Sequence, residues 1–385
     1  MITLNLIIRN AFRHKLRTLL TVLGLVIAVM SFGLIRTVVG AWYAGVDAAS
    51  SARLVTRNAI SLVFPLPLAY SEKIRQTSGV VGVSWANWFG GIYQEPRNFF
   101  PQFAIDAQTY FAVVPEFRIP PEQIKAFQVD RKGAVVGRKL AQQYGWKIGD
   151  VVPLKGTIYP GTWNFTIRAI YSGKDNSVDE GQFFFHWQFL NESIKRAYPK
   201  LGDSVGIFLI AVDDPDNAPL VAARVDAVFK NSLAETLSET EKAFQLGFVS
   251  MSEQILIALE AVSYVVIIII MAVMANTMVM TARERTSEYA TLKALGFGHG
   301  FVVRLIFGES LFIATIGAMG GILLLWPITH AIASEFANIF PVFLVSQETM
   351  LAQMGAGVLV GLVAAAAPSW HAARIRIVDG LRSIA

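Results

Sequence analysis

The chain has 385 residues, 54% of them hydrophobic and only 16% charged, with no cysteine and a formal charge of +5. An average soluble domain is about 25% charged, so this composition excludes a purely soluble one-domain enzyme and calls for membrane-spanning segments. Without cysteine there is no disulfide framework, thiol nucleophile or thiolate metal site.

Residues 1–17 predict a basic amphipathic helix, with Arg9, Arg13 and Arg17 at i, i+4, i+8 on one face and Leu6, Phe12 and Leu16 along an apolar edge. Such a helix lies along an anionic inner leaflet, and the same charges also serve as a topogenic signal. The first apolar run, 18–40, is long for the hydrophobic region of a signal peptide and lacks a convincing cleavage site, so it reads as an uncleaved anchor. Three more runs, 254–281, 302–328 and 350–370, are long enough to span a hydrocarbon core. Gly317 and Gly321 in the third run, and Gly357 and Gly361 in the fourth, stand four apart. That spacing lets helix backbones approach closely, although glycine is also simply common in membrane helices.

Residues 41–253, between the first two runs, have the composition of a soluble domain. The pattern predicts a strand over 58–64, a helix near 69–76, short strands across 105–175, a buried strand over 205–212, a turn at 213–217 and a helix over 218–230. Strand followed by helix at both ends implies an α+β, porter-like unit whose first and last parts meet around an inserted β-rich subdomain. A short loop, 329–349, joins the third and fourth spans.

Charge sets the expected orientation. The N-terminal segment, the 282–301 loop, the adjoining span ends and the tail 371–385 hold eleven basic residues against four acidic ones, a net +7. The rest of the chain holds 22 against 24, a net −2. Both termini and the 282–301 loop are therefore expected in the cytoplasm, with the large domain outside. The positive charge is a topology signal, and nucleic-acid binding loses its support.

Enzyme motifs are missing. Ser172-Gly-Lys-Asp lacks the hydroxyl and the earlier glycine of a phosphate-binding loop. The five histidines are scattered, and there is no nucleophile elbow. The loop 282–301 instead predicts a short helix, with Thr286 as N-cap, Glu288 in the first turn, Lys293 in the last and Gly296 as the stop. A helix held between two spans is suited to transmit or receive force.

Here the sequence resembles a known family. The tail Ala367-Pro-Ser-Trp-His-Ala-Ala-Arg, with Leu381 and Arg382 beyond it, is similar to the ending of MacB/FtsX-type (type VII) ABC transporter permeases. Arg13 to Gly24 is similar to their N-terminal pattern, and Asn276, Met278, Glu284, Arg285, Glu288, Ala294 and Gly296 to their inner-loop pattern. Val135 to Leu154 resembles a stretch of their outer domain.

The resemblance implies a dimer, homodimeric or paired with a related permease, in the inner (plasma) membrane. Each subunit would have four membrane helices and an outer domain, working with a pair of ABC ATPase subunits. No cofactor is expected in this chain; ATP and Mg would be bound by the partner ATPase, here a separate polypeptide. Glu284, Arg285, Glu288, Lys293 and Gly296 would form the coupling segment that meets it. ATP-driven closure would move the first two helices and re-pose the outer domain, a mechanotransmission that exports an amphipathic or lipidic cargo or drug. A periplasmic adaptor or a lipid or lipoprotein carrier would be a further partner, besides membrane lipids. Lipoprotein release of the LolC/LolE kind is an alternative, and a membrane-anchored sensor or scaffold is one of another class.

Three of the charges inside the spans stand out. Arg36 and Glu260 are candidates for a latch between the first two helices, against snorkelling or a place in a dimer groove; Glu309, near Arg304, reads as interfacial. The aromatic residues Trp85, Trp88, Phe89, Phe99, Phe100 and 183–187 are either a surface for lipid or an adaptor, or core strands.

Overall fold

The computed structural model describes residues 2–175, 177–336, 340 and 342–374. The predicted tail beyond Arg374, with Arg376 and Arg382, lies outside the described residues, as do 337–339 and 341 of the predicted outer loop.

The chain opens with helices α1 (Ile2–Ala11) and α2 (Lys15–Ala48). The strands and helices of the next part follow in order as β1 (Arg53–Asn58), β2 (Leu66–Pro67), α3 (Tyr70–Arg75), β3 (Val80–Trp88), β4 (Gly91–Ile92), β5 (Gln102–Ile105), α4 (Tyr110–Val113), β6 (Phe117–Arg118) and α5 (Pro121–Val129). Then come β7 (Gly133–Gly137), α6 (Arg138–Tyr144), β8 (Val151–Gly156), β9 (Gly161–Gly173), β10 (Phe183–His186), α7 (Trp187–Ala197), β11 (Ser204–Val205), β12 (Ile207–Val212), α8 (Ala218–Val228), β13 (Thr236–Thr240) and α9 (Glu241–Ser250). Helices α10 (Glu253–Glu284), α11 (Thr286–Ala294), α12 (His299–Phe336) and α13 (Gln347–Arg374) complete it. Two compact units result: a helical one from 1–41, 252–335 and 343–385, and a mixed one from 42–251 with 336–342.

In the helical unit α2, α10, α12 and α13 are each long and apolar enough to cross a membrane. With 34 and 32 residues, α2 and α10 run to about 50 Å, well beyond a hydrocarbon core of about 30 Å. The inward face of α10 is a stripe at helical spacing, Ile267, Ile270, Met274, Met278 and Ala282. Glycine sets the closest approaches. A Cβ on Gly317 or Gly321 would come within 3 Å of Leu25 or Val29 on α2, and one on Gly357 or Gly361 within 3 Å of Ala318 or Ala314 on α12.

The N-terminal segment differs from the single helix expected over 1–17. The chain breaks after Ala11, so Arg9 lies on α1, Arg13 in the turn and Arg17 on α2. The Thr18 hydroxyl donates to the Ala11 carbonyl and satisfies an acceptor that the break exposes. Ile7 and Ala11, four apart, face inward, Ala11 buried and Ile7 half-buried: Ile7 fills the space over Gly308, while Leu6, Phe12 and Leu16 stay exposed.

The mixed unit is built on one sheet in the order β13-β1-β12-β3-β5-β10-β7-β9-β8-β4, with β6 paired to β9 and β2 with β11 set apart. The inserted strands form no sheet of their own. β3 pairs antiparallel with β5, and β5 parallel with β10, which joins them to the strands from the two ends of the domain. Helices cover both faces, and this explains the aromatic run: Phe183 and Phe185 enter the core with Leu140, Leu190 and Val221, while Phe184 points to the other core with Tyr110 and Phe127. The predicted strand over 58–64 is displaced to 53–58. Asn58 Oδ1 accepts the Ile60 amide at 3.0 Å, a turn that ends the strand, and leaves Ile60, Val63 and Phe64 exposed.

Candidate coupling site

The segment between α10 and α12 carries the predicted coupling residues. α10 ends at Glu284, Arg285 breaks the helix, and α11 begins at Thr286. Thr286 is not the predicted N-cap: its hydroxyl donates back to the Arg283 carbonyl at 2.8 Å, because the residue already lies inside the turn. At the far end Phe297 N–H bonds the Leu292 carbonyl at 3.1 Å and Gly296 N–H the Lys293 carbonyl at 3.1 Å, with Gly296 at φ +92°. This is a Schellman stop, which needs a left-handed residue at that position.

Four charges of this segment, Glu284, Arg285, Glu288 and Lys293, are taken up by neighbouring elements. Arg17 grips Glu284 with both terminal nitrogens, at 2.7 and 2.8 Å, and His14 Nε2 lies 3.8 Å from the same carboxylate. Arg13 pairs with Glu288. Arg285 Nε donates to Glu288 at 3.0 Å and Nη1 to Glu309 at 2.9 Å, with the Arg285 and Glu309 side chains 7% and 4% exposed. Lys293 Nζ donates to the carbonyls of Ala372 and Ala373, at 2.9 and 3.1 Å, near the end of α13. α11 is thereby tied to the α1–α2 turn and to α13, and its junction with α10 to α2 and α12.

Burial disfavours the charge on Arg285, but Tyr289, Glu309 and Glu288 outweigh it and hold the guanidinium above its ordinary value. Burial also pushes the Tyr289 phenol up to about 12, against the pull of Arg285. Glu288 is raised by burial, yet hydrogen bonds from Arg13 and Arg285 prevail and keep it below the usual carboxylate range. Burial lowers the Lys293 ammonium.

Two expectations change. Arg285 is an internal residue, 6% exposed, and not a surface contact. Glu309 belongs to Arg285, whereas Arg304 donates to the Gly300 carbonyl one turn back. The pairing of the N-terminal arginines with α10 and α11 went unforeseen, but a signal was present. Arg13 and Arg17 are four apart, as are Glu284 and Glu288, and the two sets meet in reverse order. Beyond α11 two large apolar side chains stay exposed, Leu295 at 71% and Phe297 at 44%.

Elsewhere in the helical unit, Arg36 Nη1 lies 3.9 Å from Glu260 Oε1, and the Tyr264 hydroxyl donates to the same oxygen at 3.4 Å. Arg9 is exposed on α1 and joins none of these pairs. Of the aromatic candidates, Phe89, Phe100, Phe183, Phe184, Phe185 and Trp187 are buried, and Trp88 and Phe99 remain exposed. Among the described residues no three His, Asp or Glu side chains group as a metal site would require.

Residues 18–228 match the family model of the MacB-like periplasmic core domain, and residues 260–377 that of the FtsX-like permease C-terminal region. Among solved structures the chain is similar to the extracellular domain of the noncanonic ABC-type transporter YknZ from Gram-positive bacteria, at 8% identity over 49% of this chain and 100% of that one, with a TM-score of 0.36. It is similar to the periplasmic region of MacB from Actinobacillus actinomycetemcomitans at 10% identity, 53% and 95% coverage and a TM-score of 0.38. A domain of a permease protein from Porphyromonas gingivalis gives 9% identity, 49% and 88% coverage and a TM-score of 0.33. No curated protein matches the sequence.

Proposed function

From the premise that the chain belongs to the family of ABC transporter permeases with a MacB-like periplasmic core domain and an FtsX-like C-terminal region, we propose that it is a transport subunit driven by an ABC ATPase. It has no catalytic site of its own in this reading. ATP and Mg2+ are held by the ATPase, two copies of the permease assemble, and both termini and α11 face the cytoplasm. The positive charge at that end of the sequence supports the orientation.

One observation carries the coupling role: α11 is fastened by Glu288 to the α1–α2 turn and by Lys293 to α13, and its junction with α10 by Glu284 to α2 and by Arg285 to α12. Force on α11 is thus passed to several membrane helices at once. Glu284, Arg285, Glu288 and Lys293 carry that load internally, Gly296 ends the lever, and Leu295 and Phe297 supply the contact that enters the ATPase. Movement of α2 and α10 then re-poses the outer domain, with the Arg36–Glu260 pair holding the two helices in step. The cargo is amphipathic or lipidic. In support, three charges within the spans are paired: Arg36 with Glu260, and Glu309 with Arg285 just beyond α10.

The test is to express the chain with an ABC ATPase encoded beside it and place a photocrosslinker at Leu295. Capture of the ATPase is expected, with binding weakened at least tenfold by Leu295→Asp in a protein that still folds. If no ABC ATPase is captured and none copurifies, the reading fails and a scaffold or sensor takes its place. Stimulation of hydrolysis by lipoproteins over drugs would assign lipoprotein release.

A further inference from the structure

We propose that Arg53, with Glu116 and Glu241, is a rigid joint that locks the two segments linking the outer domain to its membrane helices onto the body of that domain. The proposal rests on the permease reading above and names the positioning residues through which movement would be passed on.

The chain enters the domain through β1, which starts five residues after α2 ends, and leaves it through α9, which ends three residues before α10 begins. Glu241 is the first residue of α9, where Thr240 caps the helix by accepting the Ala243 amide at 3.2 Å. Glu241 Oε2 accepts from the Ser50 amide at 2.8 Å, from Arg53 Nε at 3.0 Å and from Arg53 Nη2 at 2.7 Å. Entry and exit are therefore fastened to each other by one carboxylate oxygen. The remaining arm of the same guanidinium reaches into the domain: Nη1 donates to the Val113 carbonyl at 3.0 Å and to Glu116 Oε2 at 3.1 Å. Val113 ends α4, which packs against β3 and β12 in the middle of the sheet.

Arg53 is 4% exposed, and on the same strand Val55 enters a core with Tyr110 and Val114, against which Phe244 of α9 packs. An apolar contact of this kind tolerates sliding. A planar fork with donors committed in two directions does not, since displacement breaks several charge-assisted bonds together. A buried ion pair adds little net stability over an apolar substitute of similar shape. What Arg53 supplies here is a fixed orientation of α9 and β1 relative to α4.

Two variants loosen the joint differently. Arg53→Met combined with Glu116→Gln and Glu241→Gln removes the network without leaving a buried charge alone. Arg53→Lys keeps the charge but cannot hold Glu241 and Glu116 at once, and it carries the test should the triple variant fail to fold. Because the chain has no cysteine, spin labels are placed cleanly at Gln143 on α6 and Leu246 on α9, both exposed. The transporter is assembled with its ATPase in nanodiscs, with labelled chains diluted by the cysteine-free chain. The Gln143–Leu246 distance distribution is expected to be narrow in the parent with and without ATP, and at least twofold broader in either variant. A second measurement uses chains labelled at Gln143 alone: the distance between copies should shift on ATP binding in the parent and lose at least half of that shift in the variants, while the ATPase keeps its rate. Variants with parental width and parental shift overturn the joint. A parent that shows no shift while its ATPase turns over overturns the permease reading instead, and the width still decides whether the joint is rigid.

Discussion

Arg285 and Glu309 place two opposite charges out of water on neighbouring segments of the helical unit. Removing one partner strands the other, at a cost of about 3–5 kcal/mol, whereas replacing both by apolar residues of similar size is close to neutral. Glu309→Ala is thus expected to lower the thermal midpoint in detergent strongly, and Arg285→Met with Glu309→Met to recover most of it. Equal losses in the single and double variants would show that packing, and not the orphaned charge, sets the cost. Glu288 responds to acid with a definite sign. Its folded pKa lies below its unfolded value, so its pairing stabilises the fold above the unfolded value and fades as pH falls through the lowered one. Acidification to the ordinary glutamate pKa of about 4.3 should therefore leave the Arg13–Glu288 contact closed, with opening only below. Protease cutting at the α1–α2 turn, followed stepwise in pH, reads this directly. Glu309 was visible in the sequence as a charge within a span, but its partner was not, since the two are separated by 24 positions and the chain folds back through α11 first.

At the scale of elements, charge complementarity holds the N-terminal turn to α10 and α11. Arg17→Glu and Glu284→Arg should each release the turn, by facing like charges, and the exchanged double variant should restore protection of the turn from protease. Coupling of about 0.5–3 kcal/mol is usual for side chains in contact. Helix packing gives a sharper contrast within α13. A Cβ at Gly357 would stand 2.5 Å from Ala318, while Gly355 faces open space. Gly357→Val should lower the thermal midpoint and Gly355→Val leave it nearly unchanged. The four-residue spacing of glycines was legible in the sequence because a helix repeats near that period. Which helix each pair faces was not legible, because that depends on how all four cross. The same limit applies to the strands: β12 and α8 stood out through a continuous apolar run and a capping turn, whereas the β3–β5 and β5–β10 pairings, which merge the insertion into one sheet, join segments with no local signal in common.

For the whole molecule, the deciding variable is which end of the helices faces the cytoplasm. The net positive charge gathers at the N-terminal segment, around α11 and in the tail, and no Lys or Arg falls in 332–349, so the positive-inside tendency would place α11 inside and residues 42–251 outside. Only that orientation lets α11 meet an ATPase that draws on cytoplasmic ATP. The absence of cysteine makes the test direct. Lys174→Cys, on an exposed turn of the mixed unit, should react with a membrane-impermeant maleimide on intact spheroplasts. Gly298→Cys, on the exposed stretch just after α11, should react only after lysis. The reverse labelling would put α11 beyond the reach of ATP. The charge belt around it would then be a structural clamp, and the coupling role would have no motor to serve.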